Sequence, residues 1–391
     1  MTTNPRLRSP RLDWLLMSAV LGLLLLGCLL VWSSTAHREV LTGGDPRAYL
    51  VKQVSNVAAG LVLMAIVLAT DHRWVRILAP LVYLASVSGL VLVLAMGTTI
   101  NGSRSWLMLG GLSIQPSEFA KLAVIVGMGL FVAERSEGRR LRGMGAVDVL
   151  GMLAIAGVPA ALILVQPDLG TMLVLSATVF GTLAAAGAQR RWLVVMVAGG
   201  VAAASAAIMA GVLKTYQVDR FLAFTDPLLD PRGAGYNTEQ ARIAVGNGGV
   251  FGQGLFHGSQ TRAGFVPEQH TDFIFTVAGE ELGLVGAGVL IALLAIVIWR
   301  ALTIANGTTD LFGRVTAAGI ACWFGFQAFQ NIGMCLGIMP VTGVPLPLVS
   351  YGGSSMFASL LAVGLLQNIH LRSVSTGAQD LLSRPRRLVE V

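Results

Sequence analysis

Long runs of apolar residues, separated by short polar stretches, dominate the sequence. Ten of these runs are close to the ~20 residues that a helix needs to cross the hydrocarbon core of a bilayer. Because lipid offers the backbone no hydrogen-bonding partner, such runs are predicted to be helices and not strands. The pattern therefore predicts an all-α polytopic membrane protein with ten transmembrane helices, at residues 13–32, 53–70, 77–97, 117–134, 147–165, 169–188, 192–213, 274–299, 315–338 and 353–371.

The composition agrees with a chain that faces lipid over most of its surface. Hydrophobic residues make up 54% of the 391 residues and charged residues only 12%, whereas soluble domains are about a quarter charged. The mean hydropathy is +0.73. Cys28, Cys322 and Cys335 all lie in apolar stretches. Neither a disulfide framework nor a thiolate metal site is therefore indicated.

Basic residues cluster in alternate loops between the predicted spans and near both ends of the chain. The 27 Lys and Arg residues against 20 Asp and Glu give a net charge of +7. In a soluble protein this excess would suggest nucleic acid, but in short loops the positive-inside bias explains it better. With ten spans, both termini are predicted to be cytoplasmic, and no nucleic-acid partner is expected.

The chain is predicted to form a single transmembrane domain over residues 1–372, followed by a polar cytoplasmic tail at 373–391. The first apolar run is too long for a typical signal-peptide core, so we interpret it as an uncleaved helix. Between the seventh and eighth spans lies a long extracytoplasmic loop, residues 214–273, which contains aromatic residues and a glycine-rich run. Long loops are usually functional or disordered, and the aromatic content favours a packed loop that lies on the membrane.

Asp272 is the strongest candidate for a chemical role. It lies just before the eighth predicted span, in the segment HTDFIF. A carboxylate between apolar neighbours at the headgroup boundary is partly desolvated, which raises its pKa and makes it a better general base. The alternative is that Asp272 caps the helix by accepting the free N–H groups of the first turn. Its position alone favours neither interpretation.

A second polar cluster lies between the third and fourth predicted spans, in NGSRSW and QPSEFAK. Glu118 and Lys121 are spaced i, i+3, which permits an ion pair on one helix face, and Arg104 and Trp106 precede them. The structural alternative is a self-neutralising pair, with Trp106 as an interfacial residue. Charges at this depth are costly unless something uses them. We therefore expect this cluster to share a water-accessible pocket with Asp272.

Three further charged residues lie on or near the same predicted face. Asp168, in QPDLGT, is interpreted as a turn residue and helix N-cap, and Lys52 as a lysine that snorkels to the headgroups. Glu281, in GEELG, falls inside the eighth span. An acidic residue within a span is a functional candidate by default, although it can also bond to a neighbouring helix.

The segment MPVTGVPLPLVSYGGSS, before the tenth span, contains three prolines and a pair of glycines. It is predicted to be a rigid, partly re-entrant loop, a conformation allowed at membrane depth where it lines a cavity. Gln327, Gln330 and Asn331 in the ninth span are expected to form interhelical hydrogen bonds. The sequence contains neither GxxxxGK[ST] nor HExxH, and its glycine-rich run does not fit GxGxxG, so nucleotide-driven pumping and zinc hydrolysis have no support.

Several separated motifs in this order together resemble the SEDS family, the shape, elongation, division and sporulation proteins. They are NGSRSW, QPSEFAK, QPDLGT, HTDFIF followed by GEELG, and PLVSYGGSS. The resemblance runs from the first predicted span to the tenth, and the family's ten-span topology matches the predicted one. Within the family, the loop PVTGVPLP resembles the RodA branch more than the FtsW branch.

The resemblance implies a peptidoglycan glycosyltransferase of the cytoplasmic (inner) membrane that polymerises lipid II into glycan strands on the outer face during cell elongation. Its leaving group would be undecaprenyl pyrophosphate. The family's catalytic aspartate corresponds to Asp272, and the tryptophan, glutamate and lysine of its other motifs correspond to Trp106, Glu118 and Lys121. The resemblance also implies a class B penicillin-binding protein as partner, a transpeptidase, together with other proteins of the elongation complex.

In the mechanism that we hypothesise, Asp272 takes a proton from the acceptor sugar, and nearby cations stabilise the pyrophosphate. Arg104, Lys121 and Lys52 are the candidate cations, and a divalent cation could share the task. The sequence names no cofactor or metal ligand. The complete set of predicted substrate-binding residues is Arg104, Trp106, Glu118, Lys121, Lys52, Asp168 and Glu281.

Two other functions fit the same physical pattern. A flippase for lipid-linked precursors would also use ten helices, buried charges and broken loops, but its polar residues should lie near the bilayer midplane. Here they lie at the predicted outer edge, which favours chemistry on a membrane-bound substrate. A non-catalytic scaffold for a penicillin-binding protein is the second alternative, and only replacement of Asp272 separates a scaffold from an enzyme.

Overall fold

The computed structural model describes residues 12–100, 103–109, 112–136, 144–211, 218, 220 and 233–383. Outside these ranges lie the basic residues of the N-terminus and of the loop at 137–143, the first part of the long loop apart from residues 218 and 220, and the end of the tail. The helices are α1 (Trp14–Ala36), α2 (Glu39–Thr42), α3 (Ala48–Ala69), α4 (His72–Met96), α5 (Pro116–Ser136), α6 (Ala146–Val165), α7 (Leu169–Ala185), α8 (Arg190–Met209), α9 (Ala234–Asn247), α10 (Ser259–Ala263), α11 (Ile274–Glu281), α12 (Gly283–Gly307), α13 (Leu311–Leu336) and α14 (Gly353–Ser383).

The protein is a mostly helical polytopic membrane protein. Among the described residues, eight helices are long and apolar enough to cross a bilayer: α1, α3, α4, α5, α6, α8, α12 and α14. At the predicted sixth span lies α7, which is apolar but has only 17 residues. The predicted ninth span is α13, whose 26 residues include the buried polar side chains of Gln327, Gln330 and Asn331. The count of ten spans and the orientation of the termini stay predictions.

A small antiparallel sheet interrupts the helices, so the prediction of an all-α fold is incomplete. Strands β1 (Thr98–Ile100), β2 (Ser103–Leu109) and β3 (Leu112–Ile114) pair in the order β1-β2-β3. Trp106 lies opposite Thr98 in this sheet. The strands lie between α4 and α5, outside the spanning helices, where the backbone must find hydrogen-bonding partners beyond its own turn.

The predicted eighth span is not one continuous helix. It breaks between α11 and α12 at Gly283, whose φ of +66° favours glycine. The glycine-rich segment supplies partners at the break: Gln253 N–H donates to the Glu280 carbonyl, and Leu284 N–H donates to the Gly249 carbonyl. A helix break at this depth is tolerated because protein backbone satisfies the freed groups. This part of the long loop is therefore packed, as its composition predicted.

Helix α13 forms the centre of the bundle, in contact with α5, α7 and α12, whereas α14 packs chiefly against α3. Trp323 and Phe324 on α13 are buried in the apolar core. At the other extreme, no residue of α8 is buried, which suits a helix that faces lipid over most of its circumference. The core therefore holds α13 fixed, and α13 positions the polar groups described below.

Two ion pairs join helix ends that the charge pattern assigned to the cytoplasmic side. Arg300 near the end of α12 contacts Asp13 before α1 at 2.6 Å, with both side chains largely buried. Arg372 on α14 contacts Asp71, the residue before α4, at 2.9 Å. These pairs bring the predicted cytoplasmic positions together at one end of the bundle.

Candidate active site

Three of the eight predicted site residues, Asp272, Trp106 and Asp168, line one partly open cavity of about 270 Å³. Its wall is formed by β2, by the turn before α7, by the turn before α11, and by the segment that leads into α14. Lining residues are Ser103, Ser105, Trp106, Met108, Ser113, Gln115, Pro167, Asp168, Leu169, Arg220, Glu268, Thr271, Asp272, Thr342, Gly343, Pro345, Tyr351, Gly352, Ser354 and Ser355.

Asp272 does not cap its helix, so the alternative interpretation of this residue was wrong. The N-cap position of α11 is Phe273, and no side chain bonds to the first turn. Instead, the backbone N–H of Asp272 donates to the carbonyl of Glu268 at 3.0 Å, within a turn. The Asp272 carboxylate accepts no hydrogen bond from the described residues. It is therefore open to a ligand in the cavity.

Asn331 on α13 binds two separate segments of backbone beside Asp272. Its side-chain nitrogen Nδ2 donates to the carbonyl of Asp272 at 2.6 Å and to the carbonyl of Val344 at 2.7 Å. One amide thus fixes the turn that carries the carboxylate against the proline-rich loop. The predicted role of Asn331 was an interhelical hydrogen bond, whereas its actual partners are carbonyls in non-helical segments.

Two further amides of α13 bind the same proline-rich loop. Gln330 Nε2 donates to the carbonyl of Pro340 and to Thr342 Oγ1, each at 3.1 Å. Gln327 Nε2 donates to the carbonyl of Pro345 at 2.8 Å. Because a proline-rich segment has few donors and no ladder partner, its carbonyls need such side-chain partners when buried. The loop lines the cavity, as its sequence predicted.

Gly343 lies directly against the Asp272 carboxylate. Its φ is +68°, and a β-carbon at this position would come within 3.1 Å of Asp272 Oδ2. On the other side, the N–H of Tyr351 donates to the carbonyl of His270 at 3.0 Å. The turn that carries the carboxylate therefore contacts two segments of one loop, and glycine leaves room beside the carboxylate itself.

The cavity raises the pKa of Asp272 to about 7. Burial is the largest cause, and the neighbouring carboxylate of Glu268 adds to it, whereas Arg220 acts in the opposite direction. A carboxyl group with this pKa is substantially ionised at neutral pH and is still a strong enough base to take a proton from a sugar hydroxyl. The arrangement thus suits general-base chemistry.

Trp106 and Asp168, both predicted from the sequence, line the same cavity as Asp272. Asp168 is also the N-cap of α7, as predicted, since its Oδ1 accepts from Thr171 N–H at 2.9 Å. Its Oδ2 accepts from Gln115 Nε2 at 3.3 Å. Burial raises the pKa of Asp168. Trp106 comes from strand β2 and the two aspartates from separate turns, and the fold brings the three residues together.

Lys121 and Glu118 form the predicted ion pair, but the pair does not line the cavity. Their contact is 2.7 Å, with side chains 0% and 2% exposed. Lys121 Nζ also donates to Gln327 Oε1 at 2.8 Å and lies over the ring of Trp323. The expectation that these charges share a pocket with Asp272 is therefore corrected. Gln327 connects them to the loop that forms the cavity wall.

Three other candidates also lie outside the cavity lining. Arg104 is exposed, and its guanidinium donates to the carbonyls of Gly97 and Ala95 at the end of α4. Lys52 is exposed, with its ammonium 5.0 Å from the ring centroid of Tyr49. Glu281 is buried and accepts a hydrogen bond from Ser33 Oγ on α1. Among the described contacts, none of the three side chains reaches the Asp272 carboxylate.

The sequence analysis missed Arg220, Glu268 and Ser355, all of which line the cavity. Arg220 and Glu268 belong to the long loop, whose length indicated a function without indicating which of its residues carry it. Among the described residues, no group of three or more His, Cys, Asp or Glu side chains could hold a metal ion. That a divalent cation shares the stabilisation of the pyrophosphate stays a prediction.

Comparison with known proteins identifies the family. The model FTSW_RODA_SPOVE, described as cell cycle protein, matches residues 13–374. The peptidoglycan glycosyltransferase MrdB of Escherichia coli (strain K12) is 37% identical over 375 residues, which cover 95% of this chain and 97% of MrdB. The "Probable peptidoglycan glycosyltransferase FtsW" of Halothiobacillus neapolitanus is also 37% identical, over 93% of this chain and 88% of its own length.

A solved structure shares the fold. It is described as "Structural coordination of polymerization and crosslinking by a peptidoglycan synthase complex". The matched chain is 33% identical, with a TM-score of 0.77 over 93% of this chain and 98% of its own length. The agreement extends over nearly the whole chain, so the cavity lies within the shared architecture.

The buried pair of Lys121 and Glu118 is predicted to stabilise the fold, and replacing its two members separately and together tests this role. Lys121→Met should destabilise the protein by about 3–5 kcal/mol, because it leaves the Glu118 carboxylate buried without a counter-charge. The double variant Glu118→Gln, Lys121→Met should recover most of that loss. Thermal unfolding of the purified protein measures both. A double variant no more stable than the single one would show that the pair is not the source of the effect.

Proposed function

The chain belongs to the SEDS family, the FTSW_RODA_SPOVE cell cycle proteins, and from this premise we propose how its cavity works. The protein is a peptidoglycan glycosyltransferase of cell wall synthesis. In our proposal it polymerises lipid II at the outer face of the cytoplasmic membrane, with Asp272 as general base. The supporting observation is a carboxylate that is open to the cavity and has a pKa near neutrality.

The proposed reaction is an inverting displacement at the anomeric carbon of the donor MurNAc. The acceptor GlcNAc hydroxyl gives its proton to Asp272 as its oxygen bonds to that carbon. The bond from the anomeric carbon to the phosphate oxygen breaks, and its electron pair leaves with undecaprenyl pyrophosphate. A positioned base contributes about 10²–10⁴-fold to the rate. Arg220 is a cationic residue of the same cavity and can stabilise the departing charge.

The partner and the cellular role are also proposals. We infer that the chain works with a class B penicillin-binding protein, since the structural neighbour belongs to a complex that couples polymerisation to crosslinking. We propose a role in elongation from the PVTGVPLP loop, because MrdB and the FtsW of Halothiobacillus neapolitanus are equally identical to this chain. A flippase is less well supported, because Asp272, Trp106 and Asp168 lie in turns and a strand outside the spanning helices.

Replacement of Asp272 tests the proposed base. The protein, purified with its penicillin-binding partner, would be given lipid II, and glycan polymer would be measured. Asp272→Asn should lower the rate at least ~100-fold, since the amide cannot accept the proton. Glu239→Gln, which removes an exposed carboxylate outside the cavity lining, should leave the rate unchanged. Normal polymerisation by Asp272→Asn would contradict the base assignment and favour a scaffold.

The pH dependence of the same reaction provides a second test. Only the ionised form of Asp272 can accept a proton, so kcat should rise about tenfold per pH unit below the pKa and level off above about 7. The measurement is the polymerisation rate at saturating lipid II between pH 5 and 9. A profile that is already level at pH 5 would mean that the essential group has the pKa of an ordinary carboxylate.

A further inference from the structure

The N-terminus of α14 opens into the cavity beside Asp272. Gly352, Ser354 and Ser355 all line the cavity. The first backbone bond of the helix runs from Met356 N–H to the Gly352 carbonyl. The N–H groups of Gly353, Ser354 and Ser355 therefore find no acceptor among the described residues. The first turn contains no acidic side chain to occupy them, so the helix presents unpaired donors at its positive end.

Ser355 provides an independent sign of a ligand. Its side chain is only 7% exposed, it lines the cavity, and its hydroxyl has no hydrogen-bond partner within the described ranges. The adjacent Ser354 differs, because its Oγ accepts from Gln115 N–H at 2.9 Å and donates to the Ser113 carbonyl at 3.4 Å. The Ser355 hydroxyl thus faces the cavity without an acceptor in the described part of the chain, and it is available to donate to an anion bound at the free N–H groups beside it.

This helix end is fixed relative to Asp272. The Ser354 hydroxyl ties it to the start of α5, and Tyr351 N–H donates to the carbonyl of His270, two residues before Asp272. Gly353 lies against Asn56 on α3, since a β-carbon there would come within 3.3 Å of Asn56 Oδ1. The donors are thus preorganised, so a ligand that binds them is placed at a defined distance from the carboxylate.

We propose that the N-terminus of α14, with the Ser355 hydroxyl, binds the diphosphate of the polyprenyl-linked donor and retains it as the glycosidic bond forms. This proposal rests on the proposed function and moves the anion site away from Arg104, Lys121 and Lys52. When the bond between the anomeric carbon and the phosphate oxygen breaks, the diphosphate gains one negative charge. Backbone N–H groups at a helix start stabilise such charge.

The acidic residues around the cavity explain why a diphosphate would need the donors at the start of α14. Asp272, Glu268 and Asp168 all line the same cavity, and their carboxylates disfavour a second anion. Arg220 is the cationic side chain among the described lining residues. A diphosphate in this cavity therefore needs further hydrogen-bond donors. The backbone N–H groups at the start of the 31-residue helix α14 supply them, at the positive end of the helix dipole.

Binding without turnover tests the proposal. In an Asp272→Asn background, geranylgeranyl diphosphate and geranylgeranyl monophosphate would be titrated into the purified complex. Ser355→Ala should weaken diphosphate binding about tenfold, because a hydrogen bond to a charged group is lost. Ser355→Asp should weaken it at least ~100-fold, since a carboxylate would bond to the free N–H groups and repel the anion. Ser359→Ala is the matched control: Ser359 lies one turn further along α14, fully buried and unpartnered, and outside the cavity lining.

Each outcome decides the proposal. Diphosphate affinity in Ser355→Asp equal to that of the parent would overturn it, as would equal losses of affinity in Ser355→Ala and Ser359→Ala. An effect of Ser355→Asp that is equal for both lipids would also overturn a site specific for the diphosphate. If thermal unfolding shows that Ser355→Asp is not folded, the affinity of Ser355→Ala for the diphosphate, compared with that of Ser359→Ala, decides the proposal. Because no glycan is formed, failure here leaves the general-base assignment to its own test.

Discussion

The site depends on one amide, Asn331, which fixes two unrelated pieces of backbone at once. Its Nδ2 donates to the carbonyl of Asp272 and to that of Val344, so the carboxylate turn and the cavity wall cannot move independently. The amide is buried on α13, the helix that most of the bundle packs around. A carbonyl buried at this depth without a donor is costly, so packing and chemistry favour the same arrangement.

The cavity concentrates charged side chains in turns beside the ends of helices. A carboxylate there can be desolvated enough to have a pKa near 7 and still exchange protons with water. The buried pair of Glu118 and Lys121 lies outside the cavity lining and acts through Gln327, which also bonds to the loop at Pro345. The residues proposed to act on the substrate are thus distinct from the ion pair that supports the cavity wall. The carboxylates and the α14 donors face the cavity, and the ion pair stiffens its wall.

The apolar runs predicted the helices well because their pattern depends only on local composition. Asp272, Trp106 and Asp168 were found because they lie in short polar motifs between the apolar runs, where local sequence is enough to single them out. The burial of Lys121 was not predictable, since it depends on Trp323 and Gln327, about 200 residues away in the sequence. Neither was the break at Gly283, which needs the glycine-rich segment as its backbone partner. Long-range pairing accounts for each of these misses.

The most direct test of this account is the kinetics of Asn331→Ala beside Gln330→Ala. Both remove an amide from α13 that bonds to the proline-rich loop, but only Asn331 also bonds to Asp272. If that bond positions the base, Asn331→Ala should lower kcat about 100-fold with little change in KM, and Gln330→Ala should lower it much less. A folded Asn331→Ala enzyme with wild-type kcat would contradict the central claim.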